Sequence, residues 1–278
     1  MFAIDYLKYW GLKEKPFEDA INGKFYFESK YHLEALSRIQ YFTEDGQMHI
    51  TMLTGAIGAG KTMVCDRAYE GITGNDIKIF FENGFLTYEE LLKELIRKIT
   101  QKSIASNLVL SSFQLQKLFE NICTKYIVEP QKRLIIFLDE CQLMPTEEIY
   151  KLRMLSNMGR SGSRILLVLS GQPEFRQIIN ELPQLNQRIA LRYHLKPLDR
   201  TDIEKYIHFR MMKAGCYQEI FRPDCYAYLQ DETAGIPRLI NRHCKLALHF
   251  CAYYQKKNID LETMKLIVKD LLKQNEVA

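Results

Sequence analysis

Short apolar runs recur along the first two-thirds of the chain, at Met48–Leu53, Ile77–Phe81, Leu134–Leu138, Ile165–Leu169 and Ile189–Leu195. Most are nearly continuous rather than alternating and too brief for a helix, the pattern of strands buried on both faces. Between them the apolar positions fall every three or four residues. Met63 to Tyr69 continues as a helix after the first run. Tyr88 to Thr100 presents Leu91, Leu92, Leu95, Ile96 and Ile99 on one face behind a Thr87–Glu90 capping box. Ser112 to Val128 repeats the helical pattern, and a further helix is expected from Glu147 to Met158, with Thr146 as its cap and Pro145 before it. Strands alternating with helices in this way predict a parallel five-stranded sheet covered on both faces.

The two ends of the chain read differently. Residues Tyr6 to Phe42 begin with aromatics among polar residues, as in Tyr9-Trp10-Gly11 and Phe25-Tyr26-Phe27. A helix follows from Lys30, with Ser29 as N-cap and Leu33, Leu36, Ile39 and Phe42 at helical spacing. This arm reads either as a segment tied down by its aromatics or as one wall of an adenine pocket. After Lys196-Pro197 the pattern is helical throughout: a helix capped by Thr201 and Glu204 and ending near Gly215, then about Asp224–Asp231, Arg238–Tyr254 and Leu261–Lys273, the last with Met264, Ile267, Val268, Leu271 and Leu272 inward. The expected organisation is an arm and helix over 1–45, an α/β domain over 46–196, and a smaller helical domain over 197–278.

The candidate chemistry sits at the carboxyl ends of the strands, where ligands of open α/β sheets bind. Gly55-Ala56-Ile57-Gly58-Ala59-Gly60-Lys61-Thr62 fits G-x-x-x-x-G-K-[ST] between a strand and a helix. The backbone of such a loop, continued into Met63, cradles phosphates with its N–H groups; Lys61 reaches the β- and γ-phosphates and the Thr62 hydroxyl ligates Mg²⁺. Leu134–Leu138 ends in Asp139-Glu140, placing Asp139 to hold the metal and Glu140 to activate the attacking water. Gln172, or else Ser170, follows the fourth strand and either touches the γ-phosphate or its water, or simply makes a turn. Arg188 and Arg192 flank the start of the fifth strand and read as trans-acting arginines or as ordinary surface ion pairs. Arg238 opens a helix behind Pro237 and suits a phosphate sensor.

Composition narrows the setting without changing this reading. The 278 residues are 47 % hydrophobic with a net charge of +4, enough for a full core and too mild a basicity to establish a nucleic-acid partner. No run approaches the length of a membrane span, and Met1–Asp5 lacks the marks of a signal peptide, so a cytoplasmic location is expected. Seven cysteines at irregular spacing fit a reducing compartment. Ile240, Cys244, Ala247, Cys251 and Tyr254 recur at helical spacing, which places these thiols on a core face rather than at a metal.

Together these motifs resemble an AAA+ ATPase and, more narrowly, the ExeA (general secretion pathway A) family, whose relatives include transposition ATPases of the MuB, TniB and TnsC type. The resemblance is carried by Trp10–Phe17, His32–Leu36, Thr54-Gly55, Asp139–Leu143, Leu152–Asn157, Gly171–Phe175 and Gly235–Asn241. It implies ATP and Mg²⁺ as cofactors, ATP bound between the sheet and a helical lid, and assembly into rings or filaments with a shared site. Lys61, Thr62, Asp139, Glu140, Gln172, Arg188 and Arg238 carry over by motif position. Ala56 and Cys141 depart from the family's usual acidic residue and alanine. The chain ends without the membrane span and wall-binding module of secretion members, which motivates a first expectation: an ATP-dependent oligomer on duplex DNA, contacting phosphates without sequence specificity, that selects a target and recruits or activates a transposase. Lys102, Lys151, Arg153, Arg160 and Arg164 are the candidate DNA-facing cations. The alternative is an ExeA-like ATPase acting on protein partners in secretion or pilus assembly.

Overall fold

The computed structural model describes residues 5–19, 22–102, 110–156, 158 and 164–276, with side chains as far as Leu271. Asn157, Arg160 and the Leu272 side chain lie outside the described residues. The chain divides into two compact units, one of Leu33–Gly55 with Lys61–Leu195 and one of Met1–His32, Ala56–Gly60 and Lys196–Ala278.

The first of these is built on five strands, β1 (Ile50–Gly55), β2 (Ile77–Phe81), β3 (Leu134–Leu138), β4 (Ile165–Gly171) and β5 (Ile189–Leu195), in the spatial order β2-β3-β4-β1-β5. Every neighbouring pair is parallel. β3 and β4 are buried along their whole length, which is why their sequences are unbroken apolar runs, whereas the edge strands β2 and β5 are partly exposed. The register pairs Phe81 with Leu138, Leu138 with Leu169, and Leu53 with Ser170. The carboxyl ends of β1, β3 and β4 are therefore level, and the residues that follow them emerge along one edge.

Helices of the same unit are α3 (Lys61–Gly71), α4 (Tyr88–Thr100), α5 (Ser112–Cys123), α6 (Thr146–Leu155), α7 (Pro173–Asn180) and α8 (Pro183–Asn186). One core gathers Leu134, Ile136 and Leu138 with Leu91, Leu92 and Leu95 of α4, Phe119 of α5, Leu152 of α6 and Phe175 of α7. On α4 the Thr87 hydroxyl accepts from the Glu90 N–H while the Glu90 carboxylate accepts from the Thr87 N–H, the reciprocal cap its sequence predicts. Three details differ from the sequence pattern. Thr146 is the first residue of α6 and makes no cap, because Pro145 occupies the N-cap position. β4 runs two residues further than its apolar run, since Ser170 and Gly171 continue the ladder to β1. The helix from Ser112 passes into a π-helical turn at Thr124–Val128.

The second unit contains α1 (Tyr6–Trp10), α9 (Arg200–Lys213), α10 (Asp224–Thr233), α11 (Pro237–Tyr253) and α12 (Leu261–Glu276) around their own core. The arm belongs to this core. Asp5 caps α1, the Trp10 indole N–H donates to the Leu248 carbonyl at 3.0 Å, and Phe17 meets Phe221 edge to face. Arg210 of α9, 6 % exposed, donates to the carbonyls of Pro16 (2.6 Å) and Glu18 (3.1 Å) and to Asn241 Oδ1 (3.1 Å). α9 is capped by Asp199, not Thr201: its carboxylate accepts from the Asp202 N–H at 2.9 Å, and a carboxylate also complements the helix dipole. Helix α2 (Lys30–Asp45) is capped by Ser29, whose hydroxyl accepts from the His32 N–H. It buries Ala35, Ile39 and Phe42 while Leu33 is turned to solvent. On α11, Ile240, Cys244, Ala247 and Cys251 are buried, whereas Tyr254 just beyond it is exposed.

Gly235 ends α10 with φ of +74°, and a Cβ placed there would lie 1.9 Å from the Leu198 carbonyl oxygen. The Leu198 N–H donates to the Gly235 carbonyl at 2.9 Å, so neither strand of this contact has room to yield. Gly235→Ala is expected to lower stability by more than about 2 kcal/mol, read by urea unfolding.

Candidate active site

The loop between β1 and α3 is shaped by glycine where the sequence predicts it. Gly58 and Gly60 have φ of +77° and +102°, conformations that side chains rarely adopt, and a Cβ on Gly55 would stand 3.0 Å from the Leu195 carbonyl oxygen. Lys61 opens α3, is only 4 % exposed, and turns back so that its Nζ donates to the Gly55 carbonyl at 3.0 Å. Thr62 and Met63 follow in the first turn of α3, half-buried. Ala59 is fully buried, Ala56 half-buried and Ile57 exposed.

The loop tip Ala56–Gly60 falls in the unit of the arm and the C-terminal helices. Two residues of that unit hold it. Arg238, in the first turn of α11, donates its N–H to the Gly58 carbonyl at 3.3 Å, and a Cβ on Gly58 would come within 2.5 Å of the Arg238 Cβ. His32, which sequence reasoning did not single out, lies 3.1 Å through Nε2 from the Ala59 carbonyl and 2.6 Å through Nδ1 from the Ser29 hydroxyl. A neutral ring satisfies both contacts if Nε2–H donates to Ala59 and Nδ1 accepts from Ser29. Burial pushes its pKa down to about 4, against a weaker upward pull from the Ala59 carbonyl. The signals in the sequence were its place three residues after the Ser29 cap and at the head of the His32–Leu36 match.

In the sheet unit, Asp139 is 1 % exposed at the end of β3. Its Oδ2 accepts from the Thr62 hydroxyl at 2.5 Å and its Oδ1 from the Glu140 N–H at 2.9 Å. Glu140 has a left-handed backbone, φ 51° and ψ 40°, which turns its side chain away from the strand direction. Its Oε2 accepts from Gln142 Nε2 at 2.5 Å and from Gln172 Nε2 at 3.2 Å. Gln172, the N-cap of α7, is thus brought to Glu140, while Ser170 is buried inside β4. Gln142, inside the Asp139–Leu143 match, is the second residue given no role from sequence; the signal was a polar side chain between Cys141 and Leu143, two positions past the acidic pair. Cys141 acts as a small core residue: its Sγ donates to the Leu138 carbonyl at 3.2 Å, and burial, then Asp139, pushes its pKa well up, keeping the thiol neutral.

Other sequence candidates are placed elsewhere. The Arg188 guanidinium donates to the Ser156 hydroxyl at 2.9 Å, and Arg192 donates to the Asn186 carbonyl at 2.7 Å. Lys151 pairs with Glu148 at 2.7 Å, Arg153 lies over the Tyr150 ring, Arg164 donates to the Gln131 carbonyl, and Lys102 is exposed. Among the described residues, no group of three or more His, Cys, Asp or Glu side chains is arranged to hold a metal, and no helix is long and apolar enough to cross a membrane.

Residues 45–179 match the family model of the AAA domain. With the sheet order and the phosphate loop already described, this makes the chain an AAA+ P-loop ATPase. Membership of the ExeA family is supported by 34 % identity over 249 residues to General secretion pathway protein A of Aeromonas hydrophila, an alignment covering 87 % of this chain. The chain spans 44 % of the length of that relative. The fold is also that of Cdc6p from Pyrobaculum aerophilum (TM-score 0.72, 16 % identity, 92 % of this chain and 70 % of that one). Similar too is the structure of Drosophila ORC bound to DNA (TM-score 0.68, 14 % identity, 94 % of this chain and 65 % of that one).

The depressed pKa of His32 sets a pH dependence. Its neutral form is favoured in the folded chain, so its contribution is complete above about pH 6.5 and is lost as pH falls toward about 4, by up to about 3 kcal/mol. In chemical denaturation, the stability gap between the parent and His32→Gln is expected to be widest above pH 6.5 and to shrink on acidification.

Proposed function

We propose that the chain binds ATP with Mg²⁺ at Gly55–Met63 and hydrolyses it with Glu140 as general base. The observation that carries this reading is the 2.5 Å contact between the Thr62 hydroxyl and the Asp139 carboxylate, with Glu140 next in the chain. Two hard oxygen donors, one buried and anionic, fit Mg²⁺, which keeps most of its remaining positions for phosphates and water. When bound there, the ion would neutralise charge on the phosphates. Lys61 exchanges the Gly55 carbonyl for phosphate oxygens as a buried point charge. Glu140 takes the proton of the attacking water, and the Gln172 amide, within reach of the same carboxylate, orients water or the γ-phosphate. Arg238, tied by its backbone to the loop tip, senses phosphate; Arg188 acts across to a neighbouring subunit.

The proposed role is that of a cytoplasmic transposition regulator that assembles with ATP into a ring or filament on duplex DNA, selects a target, and recruits or activates a transposase. Its support is the fold shared with DNA-bound ORC and the kinship that the resemblance to the ExeA family implies with transposition ATPases of the MuB, TniB and TnsC type. The named relative favours a second reading, in which the same ATPase acts on protein partners in secretion or pilus assembly.

Glu140→Gln is expected to bind ATP as the parent does and to hydrolyse it at least about a hundred-fold more slowly, whereas Lys61→Ala loses binding; phosphate release and nucleotide titration read the two effects. On the first reading, duplex DNA of any sequence is shifted only with ATP, and the shift weakens steeply between 50 and 200 mM salt, roughly as phosphate contacts dictate. No ATP-dependent shift at low salt, together with capture of envelope proteins, would decide for the second reading.

A further inference from the structure

Gln142 stands where three otherwise separate features meet. Its Nε2 donates to Glu140 Oε2 at 2.5 Å, and its Oε1 accepts from the backbone N–H of Gln172 at 3.0 Å. One side-chain amide therefore uses both ends, one on the carboxylate and one on the main chain at the start of α7. A hydrocarbon of the same size would satisfy neither partner. The backbone around it is cut to accommodate this bridge. A Cβ on Gly171 would stand 3.0 Å from Gln142 Oε1 and 2.9 Å from the Phe175 Cβ, and Phe175 is fully buried and unable to retreat. A Cβ on Gly84, after β2, would stand 2.7 Å from the Glu140 carbonyl oxygen, on the far side of the left-handed turn that aims the carboxylate. Bare backbone at both positions leaves room for Glu140 and Gln142 to adopt this arrangement.

We propose that Gln142 is a positioning residue for ATP hydrolysis, which fixes the direction of the Glu140 carboxylate and ties it to the end of β4. The inference rests on Glu140 being the general base. Gln172 donates to the same carboxylate oxygen through its side chain while giving its backbone N–H to Gln142, so the three residues form a closed ring of hydrogen bonds. Motion of the γ-phosphate or its water against the Gln172 side chain is passed to Glu140 by two routes, one direct and one through Gln142. The bridge leaves the second carboxylate oxygen to meet water.

The test uses the full chain with Mg²⁺–ATP. Gln142→Leu keeps the volume and removes both hydrogen bonds; kcat is expected to fall about ten-fold while ATP affinity stays within about two-fold of the parent. Gln142→Glu keeps an acceptor for the Gln172 N–H but loses the donor to Glu140 and sets a second carboxylate against it; kcat is expected to fall at least as far as in Gln142→Leu, again with little change in ATP affinity. A purely structural side chain would not give this split between kcat and ATP affinity. In the Glu140→Gln background, Gln142→Leu should add nothing further. If Glu140→Gln abolishes turnover while Gln142→Leu retains the parent kcat or loses ATP affinity in proportion, Gln142 does not position the base and the inference fails by itself. If Glu140→Gln retains turnover, the reading of Glu140 fails, and this inference with it.

Discussion

One hydrogen bond, from the Thr62 hydroxyl to the Asp139 carboxylate, joins two stretches of chain 77 residues apart and fixes where the chemistry lies. It exists because β1 and β3 both run parallel to β4 with their carboxyl ends level, so the start of α3 and the end of β3 arrive together. The parallel order is in turn enforced by strands too apolar to expose either face, which oblige helices to cover both. Burying Asp139 carries a desolvation cost that its two donors offset, Thr62 on one oxygen and the Glu140 main chain on the other. A carboxylate held this way has its orientation settled before any ligand arrives.

The loop tip depends on a different set of constraints. Ala56–Gly60 packs with the arm and the C-terminal helices, where Arg238 reaches Gly58 and His32 supports Ala59. Gly58 and Gly60 are needed twice over, for their positive φ and because the Arg238 and His32 side chains occupy the space a Cβ would take. An N-terminal histidine, a loop and a C-terminal helix are thus fitted to one another through contacts no local pattern contains.

This contrast explains what the sequence disclosed. All five strands were legible, β2, β3 and β5 to the residue, because buried parallel strands leave a continuous apolar signature, and α4 was legible to its cap because Thr87 and Glu90 are neighbours in sequence. The phosphate loop and Asp139-Glu140 were legible because local chemistry dictates their spacing. What escaped was tertiary. Asp199 competed with Thr201 as a cap, and two adjacent oxygen-bearing candidates look alike until a fold chooses one. Leu33 scored as core on periodicity, yet the face of α2 that is buried runs through Ala35, Ile39 and Phe42. His32 and Gln142 lie inside matched stretches, yet their roles were not legible, because each joins a near neighbour to a partner about thirty residues away, Ala59 for His32 and Gln172 for Gln142.

The anchoring of the arm by Arg210 has a bearing on how this protein tolerates its surroundings. The cation sits among the rings of Phe17, Phe25 and Tyr206 and spends its donors on main-chain carbonyls and an amide rather than on an acid. None of those acceptors takes up a proton below neutrality, and burial keeps counterions away. Surface ion pairs such as Arg97–Glu94 fade with acid or brine. The clasp on the N-terminal segment is indifferent to both, so that end of the chain stays fastened under conditions that loosen the protein's exterior.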